Sequence, residues 1–279
     1  MKGGKAGKRI FLAVWLALIL ALLAGILLLS KNPTVRTETV KEAMRDGVLH
    51  EDNRISLFGL EVNPALISAY VVTGSILLAA VLIRIFAIPR FKMIPGKMQT
   101  ILEKPVEFFS DMARTNSPNK SGFVGAYIFS AGIYIFLSTL FELLGVQAVT
   151  TRGVSISLPA PIADINGAIA MGVTSYLVIL GAGLITGGLK GMLGVLKDFS
   201  LPISMSFRLF GALLSGLLVT DLVYYYTTLS FVLPVFVGVL FTLLHAVIQT
   251  YVLTTLVSIF YGEATEPRKK KMKKEKKVA

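Results

Sequence analysis

Several ionisable or polar side chains interrupt long apolar segments of this 279-residue chain. They are Glu142, Arg208, Asp221 and His245, with Gln249 as a polar companion. An ionisable side chain inside a membrane-spanning helix costs about 2.5 to 3.5 kcal/mol on insertion scales. Such residues therefore predict an ion path or a charged partner within the membrane.

Arg208 makes the most specific of these predictions. It lies about two turns into a segment that begins Ser200-Leu201-Pro202, where serine can cap a helix and proline is tolerated in the first turn. A guanidinium keeps its positive charge in proteins, and the predicted spans contain no other Lys or Arg. The alternative is an arginine whose side chain reaches back to the inner membrane surface.

The composition of the chain excludes several classes of protein. The chain is 54% hydrophobic and 16% charged, with a mean hydropathy of +0.73. These values exclude an ordinary soluble domain and a disordered chain. The absence of cysteine excludes disulfides, thiolate metal sites and cysteine nucleophiles. No phosphate-binding loop motif occurs, so we expect no nucleotide hydrolysis by this chain. We also predict a protein that is not an enzyme, with no metal site and no cofactor.

Membrane spans account for most of the chain. A spanning helix needs about 20 mostly apolar residues. Six stretches qualify, at about residues 10–29, 66–83, 122–148, 163–186, 201–226 and 231–261. The last stretch would reach ~46 Å against a hydrocarbon core of ~30 Å, which favours tilt. The predicted fold is an all-α membrane protein, a bundle of about six hydrophobic helices with a long tilted helical hairpin at its C-terminal end.

The basic residues predict the orientation of this bundle. Cytoplasmic loops carry the excess of Lys and Arg. If the N-terminus is inside and the spans alternate, 21 of the 28 basic residues lie inside, six lie outside, and Arg208 lies within the membrane. The basic residues that produce the net charge of +12 therefore predict the membrane topology, with a cytoplasmic C-terminus.

Four regions follow from this topology. Residues 1–31 form a membrane anchor or signal-like segment, 32–65 an extracytoplasmic segment, 66–264 a polytopic channel domain, and 265–279 a basic cytoplasmic tail. The first apolar run is longer than the ~7 to 15 residues of the apolar h-region of a signal peptide, and Leu28-Leu29-Ser30 is not an A-x-A cleavage site. We favour an uncleaved anchor, and a cleaved signal peptide is the alternative.

Two further segments allow two interpretations each. Residues 90–120 mix apolar and charged positions, which favours an amphipathic helix on the cytoplasmic surface over a solvated loop. A run of glycines indicates either close helix packing through Gly187 and Gly191 or a turn, and we favour a turn for its second half. The run comprises Gly181, Gly183, Gly187, Gly188, Gly191 and Gly194.

Four motifs, in order across residues 139–264, resemble subunit a of F-type ATP synthases. Residues 202–211 (PISMSFRLFG), followed by Ser215-Gly216, are similar to its penultimate helix. Residues 248–253 (IQTYVL) and 261–264 (YGEA) resemble its last helix. Residues 161–166 (PIADIN) and 142–145 (ELLG) are similar to two earlier positions in the family. The first 120 residues match only its general plan.

This resemblance implies a mechanism and a set of partners. Arg208 would face a carboxylate on the rotating c-ring and block leakage between two half-channels. The outer half-channel would be lined by Glu142, Asp164, Asn166, Thr139 and Gln249, although Asp164 fits a plain interfacial role and Gln249 a helix-packing role. The implied partners are the c-ring, the peripheral-stalk subunit b, the catalytic F-type ATPase complex and the lipid bilayer, without nucleic acid. The implied location is the bacterial cell membrane.

The chain departs from the family pattern at the usual half-channel pair. The family's acidic or histidine position nine residues after the arginine is Leu217, and its usual partner position is Thr242. We hypothesise that Asp221 and His245 replace the pair, because each lies about one turn further along its helix. The alternatives are an interfacial aspartate and a packing histidine.

Two other functions remain open at this stage. A secondary ion transporter would also bury charges, but it predicts internal repeats, and none is evident. A noncatalytic membrane anchor would act through the basic tail. Whether the coupling ion is H⁺ or Na⁺ depends on the c subunit and is not predicted.

Overall fold

A computed structural model of the chain describes residues 14–17, 19–21, 24, 55–57, 59–151, 153, 155–225 and 233–266. Within these ranges, five helices are long and apolar enough to cross a membrane. The chain is an all-α membrane protein with little sheet, as predicted. Of the first predicted span, residues 14–17, 19–21 and 24 are helical, and its other residues lie outside the described part.

Six long helices follow one another from residue 64 onward. Helix α1 continues through two further helical turns to Arg90, and α3 ends in a short turn, Glu142–Leu144. Antiparallel hairpins precede α1 (β1, Ile55–Leu57, with β2, Leu60–Val62) and follow α3 (β3, Gln147–Val149, with β4, Ser155–Ser157). The helices are α1 (Pro64–Leu82), α2 (Lys97–Asn116), α3 (Ser121–Phe141), α4 (Ile165–Leu196), α5 (Ser200–Tyr225) and α6 (Leu233–Thr265).

The chain divides into two compact units. The larger unit comprises residues 54–213 and 242–279, and the smaller comprises residues 1–53 and 214–241. Helices α5 and α6 contribute residues to both. The hydrophobic core and every side-chain contact described below belong to the larger unit.

Small residues bring the helices of the larger unit close together. A Cβ on Gly132 of α3 would lie 2.5 Å from the Phe109 ring of α2 and 3.3 Å from Thr250 of α6. A Cβ on Gly172 of α4 would overlap Ser206 of α5. These contacts show that backbones approach closely at glycine, which is the usual way helices pack when lipid supplies little hydrophobic driving force between them.

The amphipathic segment is the helix α2, shorter than the 90–120 region predicted. Phe109 and Ala113 are buried against α3, while Lys104 and Glu107 form an exposed hydrogen-bonded ion pair of 2.8 Å. That hydrogen bond raises the pKa of the lysine and lowers the pKa of the glutamate. The helix prediction is confirmed over the loop alternative, and its location on the cytoplasmic surface stays a prediction.

Helix α4 reverses direction at Gly188, where the chain has a φ of +58° and a ψ of −151°. Tyr176 donates a hydrogen bond of 3.4 Å to the carbonyl of Val195, 19 residues away, which a straight helix would place ~28 Å distant. A Cβ on Gly191 would overlap the carbonyl oxygen of Gly183. The turn favoured for the second half of the glycine run therefore lies at Gly188. The predicted close packing also exists, but it joins Gly191 to Gly183 rather than involving Gly187.

Candidate functional site

Arg208 lies on an outward face of α5 in the larger unit. Its side chain is exposed, whereas Met205 and Leu209, which turn toward the core, are 2% and 1% exposed. The exposed positions recur at helical spacing along one side of the helix. They are Ile203, Ser204, Phe207, Arg208 and Gly211.

The surface around Arg208 is open. Ser204 precedes it by one turn and Gly211 follows it by about one turn, so small residues flank the guanidinium along the helix axis. A Cβ on Gly211 would meet no atom within 4 Å. This arrangement leaves room for another helix to approach the charge directly, as small residues do at helix interfaces in membranes.

Gln249, in contrast to Arg208, is buried inside the bundle. It is 5% exposed on α6, and among the described residues its Oε1 atom has no hydrogen-bond partner. Nearby hydroxyls differ, since Thr254 donates to the carbonyl of Thr250 at 2.6 Å and Ser258 to that of Met112 at 3.3 Å. A buried acceptor is costly unless it is hydrogen-bonded, so this oxygen is a position where a water molecule could bind.

Thr139 and Glu142 lie near the end of α3. Thr139 is fully buried, and its hydroxyl donates to the carbonyl of Ile135 at 2.8 Å, so its donor is already used within the helix. The predicted span 122–148 places Glu142 inside a helix, and the structure corrects this position. Glu142 begins the short turn that closes α3 and is partly exposed, because the helix ends at Phe141 rather than at residue 148.

Asp164 has a structural role as the N-cap of α4. Its Oδ1 accepts hydrogen bonds from the backbone N–H groups of Asn166 at 2.8 Å and Gly167 at 3.4 Å. Its Oδ2 accepts a bond of 2.6 Å from Nδ2 of Asn63, which is itself the N-cap of α1 and bonds the N–H of Ala65 at 2.9 Å. One pair of side chains therefore caps two helices and joins them, while the Asn166 side chain is exposed.

Sequence reasoning missed Asn63, although a signal was present. Asparagine directly before Pro64 is a typical N-cap followed by proline at the first helical position. The sequence gives no indication of its bond to Asp164, because the two residues are 101 positions apart.

The remaining predicted site residues are less fully placed. His245 is partly buried on α6 in the larger unit, and Asp221 belongs to the backbone of α5 in the smaller unit. The side chain of Asp221 lies outside the described atoms. The hypothesis that these two residues replace the usual pair stays a prediction.

A family model described as ATP synthase A chain matches residues 68–262, well over half of the chain and all eight predicted site residues. The chain belongs to the ATP synthase A chain family. It is therefore a multi-pass membrane subunit of the F-type ATP synthase, a non-catalytic stator part that serves ion transport and ATP synthesis. Membership in this family also places it in a complex with a c-ring.

Of the two capping residues, Asp164 lies within the range matched by the A chain family and Asn63 lies before it. The capping role of Asp164 can be tested by substitution. We predict that Asp164→Asn retains the cap of α4, since an amide oxygen can still accept from the backbone, but loses the bond from Nδ2 of Asn63, which an amide NH2 group cannot accept. Asp164→Ala should lower the free energy of unfolding by about 1 to 2 kcal/mol, the usual cost of a lost cap. Thermal unfolding of the purified chain measures this, with Asn166→Ala as the exposed control. Equal stability of Asp164→Ala and the unmutated chain would contradict the capping role.

Proposed function

We propose that this stator subunit forms two half-channels against the c-ring and that Arg208 is the cation that faces the ring carboxylate. Membership in the family carries the proposal. Its support at the residue level is the exposed position of Arg208 between Ser204 and Gly211. A cation that projects away from the core is available to a partner, whereas a cation committed to an internal ion pair is not.

The charge of Arg208 would act on the ring carboxylate in two ways. An opposite charge at close range stabilises the ionised carboxylate, so the ion is released as the ring site passes the arginine. A fixed positive charge also opposes the direct passage of a cation from one half-channel to the other. Together these effects would force the ion to travel around the ring.

The outer half-channel would pass along the polar groups of α3, α4 and α6. Gln249 is the best supported member, because its buried Oε1 lacks a partner among the described residues and can accept a bond from water. Thr139 would contribute through its spare oxygen lone pair, since its proton is used in the helix. Glu142 and Asn166 would lie at the outer mouth, and Asp164 would position that mouth as a cap.

Asp221 and His245 complete the proposal as replacements for the usual half-channel pair. Ion flux through the assembled complex tests them directly, with Asp221→Ala and His245→Ala measured separately. Undiminished flux in both variants would show that neither belongs to the path.

The orientation and the further partners are also proposals. The distribution of basic residues supports a bacterial cell membrane location with the C-terminus in the cytoplasm. Subunit b of the peripheral stalk and the catalytic subunits would contact the chain as parts of the same complex. The ion, H⁺ or Na⁺, would be chosen by the ring, and Na⁺ stimulation of ATPase activity distinguishes the two.

Cysteine cross-linking tests the ring contact. The chain has no cysteine, and Phe207, 63% exposed, precedes Arg208 on the same face. We expect Phe207→Cys to form a disulfide with cysteines placed on the outer helix of the c subunit. Leu77→Cys on α1, 61% exposed, is the matched control and should not cross-link. Cross-linking of the control alone, or purification without a ring, would refute the proposed contact.

A further inference from the structure

The short helix after the Gly188 reversal, residues 189–196, has two different faces. Gly191 and Val195 are buried, and both approach Gly183 of the preceding part of α4. The opposite side carries three leucines at positions i, i+4 and i+7, which lie within one stripe of a helix. These are Leu189 at 69%, Leu193 at 54% and Leu196 at 46% exposure.

Basic residues lie along one edge of this leucine stripe. Lys190 and Lys197, seven residues apart, project from the same side of the helix and are exposed. Lys120 adds a third cation nearby, because its Nζ donates a 3.2 Å bond to Thr186 just before the reversal. An apolar stripe with a basic edge is the pattern of a helix that lies in a membrane interface.

The length of α4 places this helix at membrane depth. From Ile165 to Gly187 the helix rises ~34 Å, slightly more than the ~30 Å hydrocarbon core. With Ile165 at the outer edge of the hydrocarbon core, the reversal comes close to the inner edge, and Gly183, which the short helix crosses, lies about one turn before the reversal.

We propose that residues 189–196 form an interfacial helix that binds anionic lipid of the inner leaflet. Leu189, Leu193 and Leu196 insert among the first acyl carbons, and Lys190 and Lys197 contact the negatively charged headgroups. A basic residue near an anionic surface contributes about 1 kcal/mol, or about fivefold in affinity. The two lysines together should therefore favour anionic over zwitterionic lipid by about 25-fold.

Spin labels on the full chain in vesicles test the insertion. Because the chain has no cysteine, Leu193→Cys gives a single labelled site. In vesicles of phosphatidylcholine and phosphatidylglycerol, we expect this label to be accessible to oxygen at a shallow depth. Leu177→Cys, 58% exposed in the middle of the span, is the control and should report a deeper position. Leu189→Cys replaces Leu193→Cys if the latter does not fold.

Two results of the depth measurement would overturn the proposal. A label reached by an aqueous nickel complex but poorly by oxygen would show that the helix lies in water. A label reached by neither reagent, in the vesicles or in the assembled complex, would show that protein covers the leucine stripe.

Lipid competition tests the charge. Native mass spectrometry of the chain with phosphatidylglycerol and phosphatidylcholine should show the preference for the anionic lipid lowered about 25-fold by Lys190→Gln with Lys197→Gln. The pair Lys41→Gln with Arg45→Gln, in the predicted extracytoplasmic segment, removes the same charge elsewhere and should leave most of the preference. Equal effects of the two pairs would show that net charge, rather than this helix, binds the lipid.

Discussion

Replacing Arg208 by alanine or glutamine should abolish ion-driven ATP synthesis, with a loss of at least about 100-fold, while the complex still assembles. The side chain is exposed, so its removal leaves no internal cavity and breaks no ion pair among the described residues. The loss would instead come from the ring carboxylate, which without an opposing cation keeps its ion and no longer releases it at the exchange point. ATP synthesis in vesicles energised by an imposed ion gradient measures the effect.

The matched control for Arg208 is another exposed arginine of the same chain. Arg114→Ala on α2 removes an equal charge and breaks only an exposed pair with Asp111 at 3.7 Å, so it should retain nearly full synthesis. Retained coupling in Arg208→Ala would refute the central role of this residue. A loss accompanied by a missing c-ring would assign Arg208 to assembly instead of ion exchange.

A substitution of Gln249 should have a smaller effect than the loss of Arg208 in the same assay. Gln249→Leu removes the buried oxygen for which the described residues offer no partner, so it should slow ion flux without preventing assembly. Thr254→Val is its control, because that hydroxyl is satisfied within its own helix. Faster unfolding with normal flux in Gln249→Leu would assign the amide to packing alone.

The second large effect is expected from Gly191→Ala. The added methyl would overlap the carbonyl oxygen of Gly183, and a backbone atom cannot move aside as a flexible side chain can. Overpacking of this kind costs about 1 to 3 kcal/mol, which corresponds to a fall in the melting temperature of roughly 3 to 10 °C for a chain of this size. Thermal unfolding of the purified chain in detergent measures the change.

Gly187→Ala is the control for this prediction, because a Cβ there meets nothing within 4 Å. In a helix, alanine is favoured over glycine, so this variant should be as stable as the unmutated chain or slightly more stable. Gly188→Ala should also destabilise, since its positive φ and strongly negative ψ are accessible almost only to glycine. Equal melting temperatures for the Gly191 and Gly187 variants would contradict the close contact with Gly183.

Hydropathy and charge in the sequence predicted the features that depend on local composition. Five of the six predicted spans correspond to long apolar helices, and most of the first lies outside the described residues. The motif around Arg208 predicted the family, which the match over residues 68–262 establishes. Transfer of a helix into lipid depends on its own residues, so the sequence determines it without reference to neighbouring helices.

The tertiary structure alone decided which side of each span faces the core and where the polar residues lie. Apolar residues surround these helices on every side, so the sequence has no helical periodicity to reveal that Gln249 points inward and Arg208 outward. The bond between Asn63 and Asp164 depends on packing between distant segments, since the two residues are 101 positions apart. The reversal at Gly188 also brings Gly191 against Gly183, a pairing that the glycine run alone did not predict. Composition determines that a segment enters the membrane, and contacts between segments determine which side of the helix faces the core.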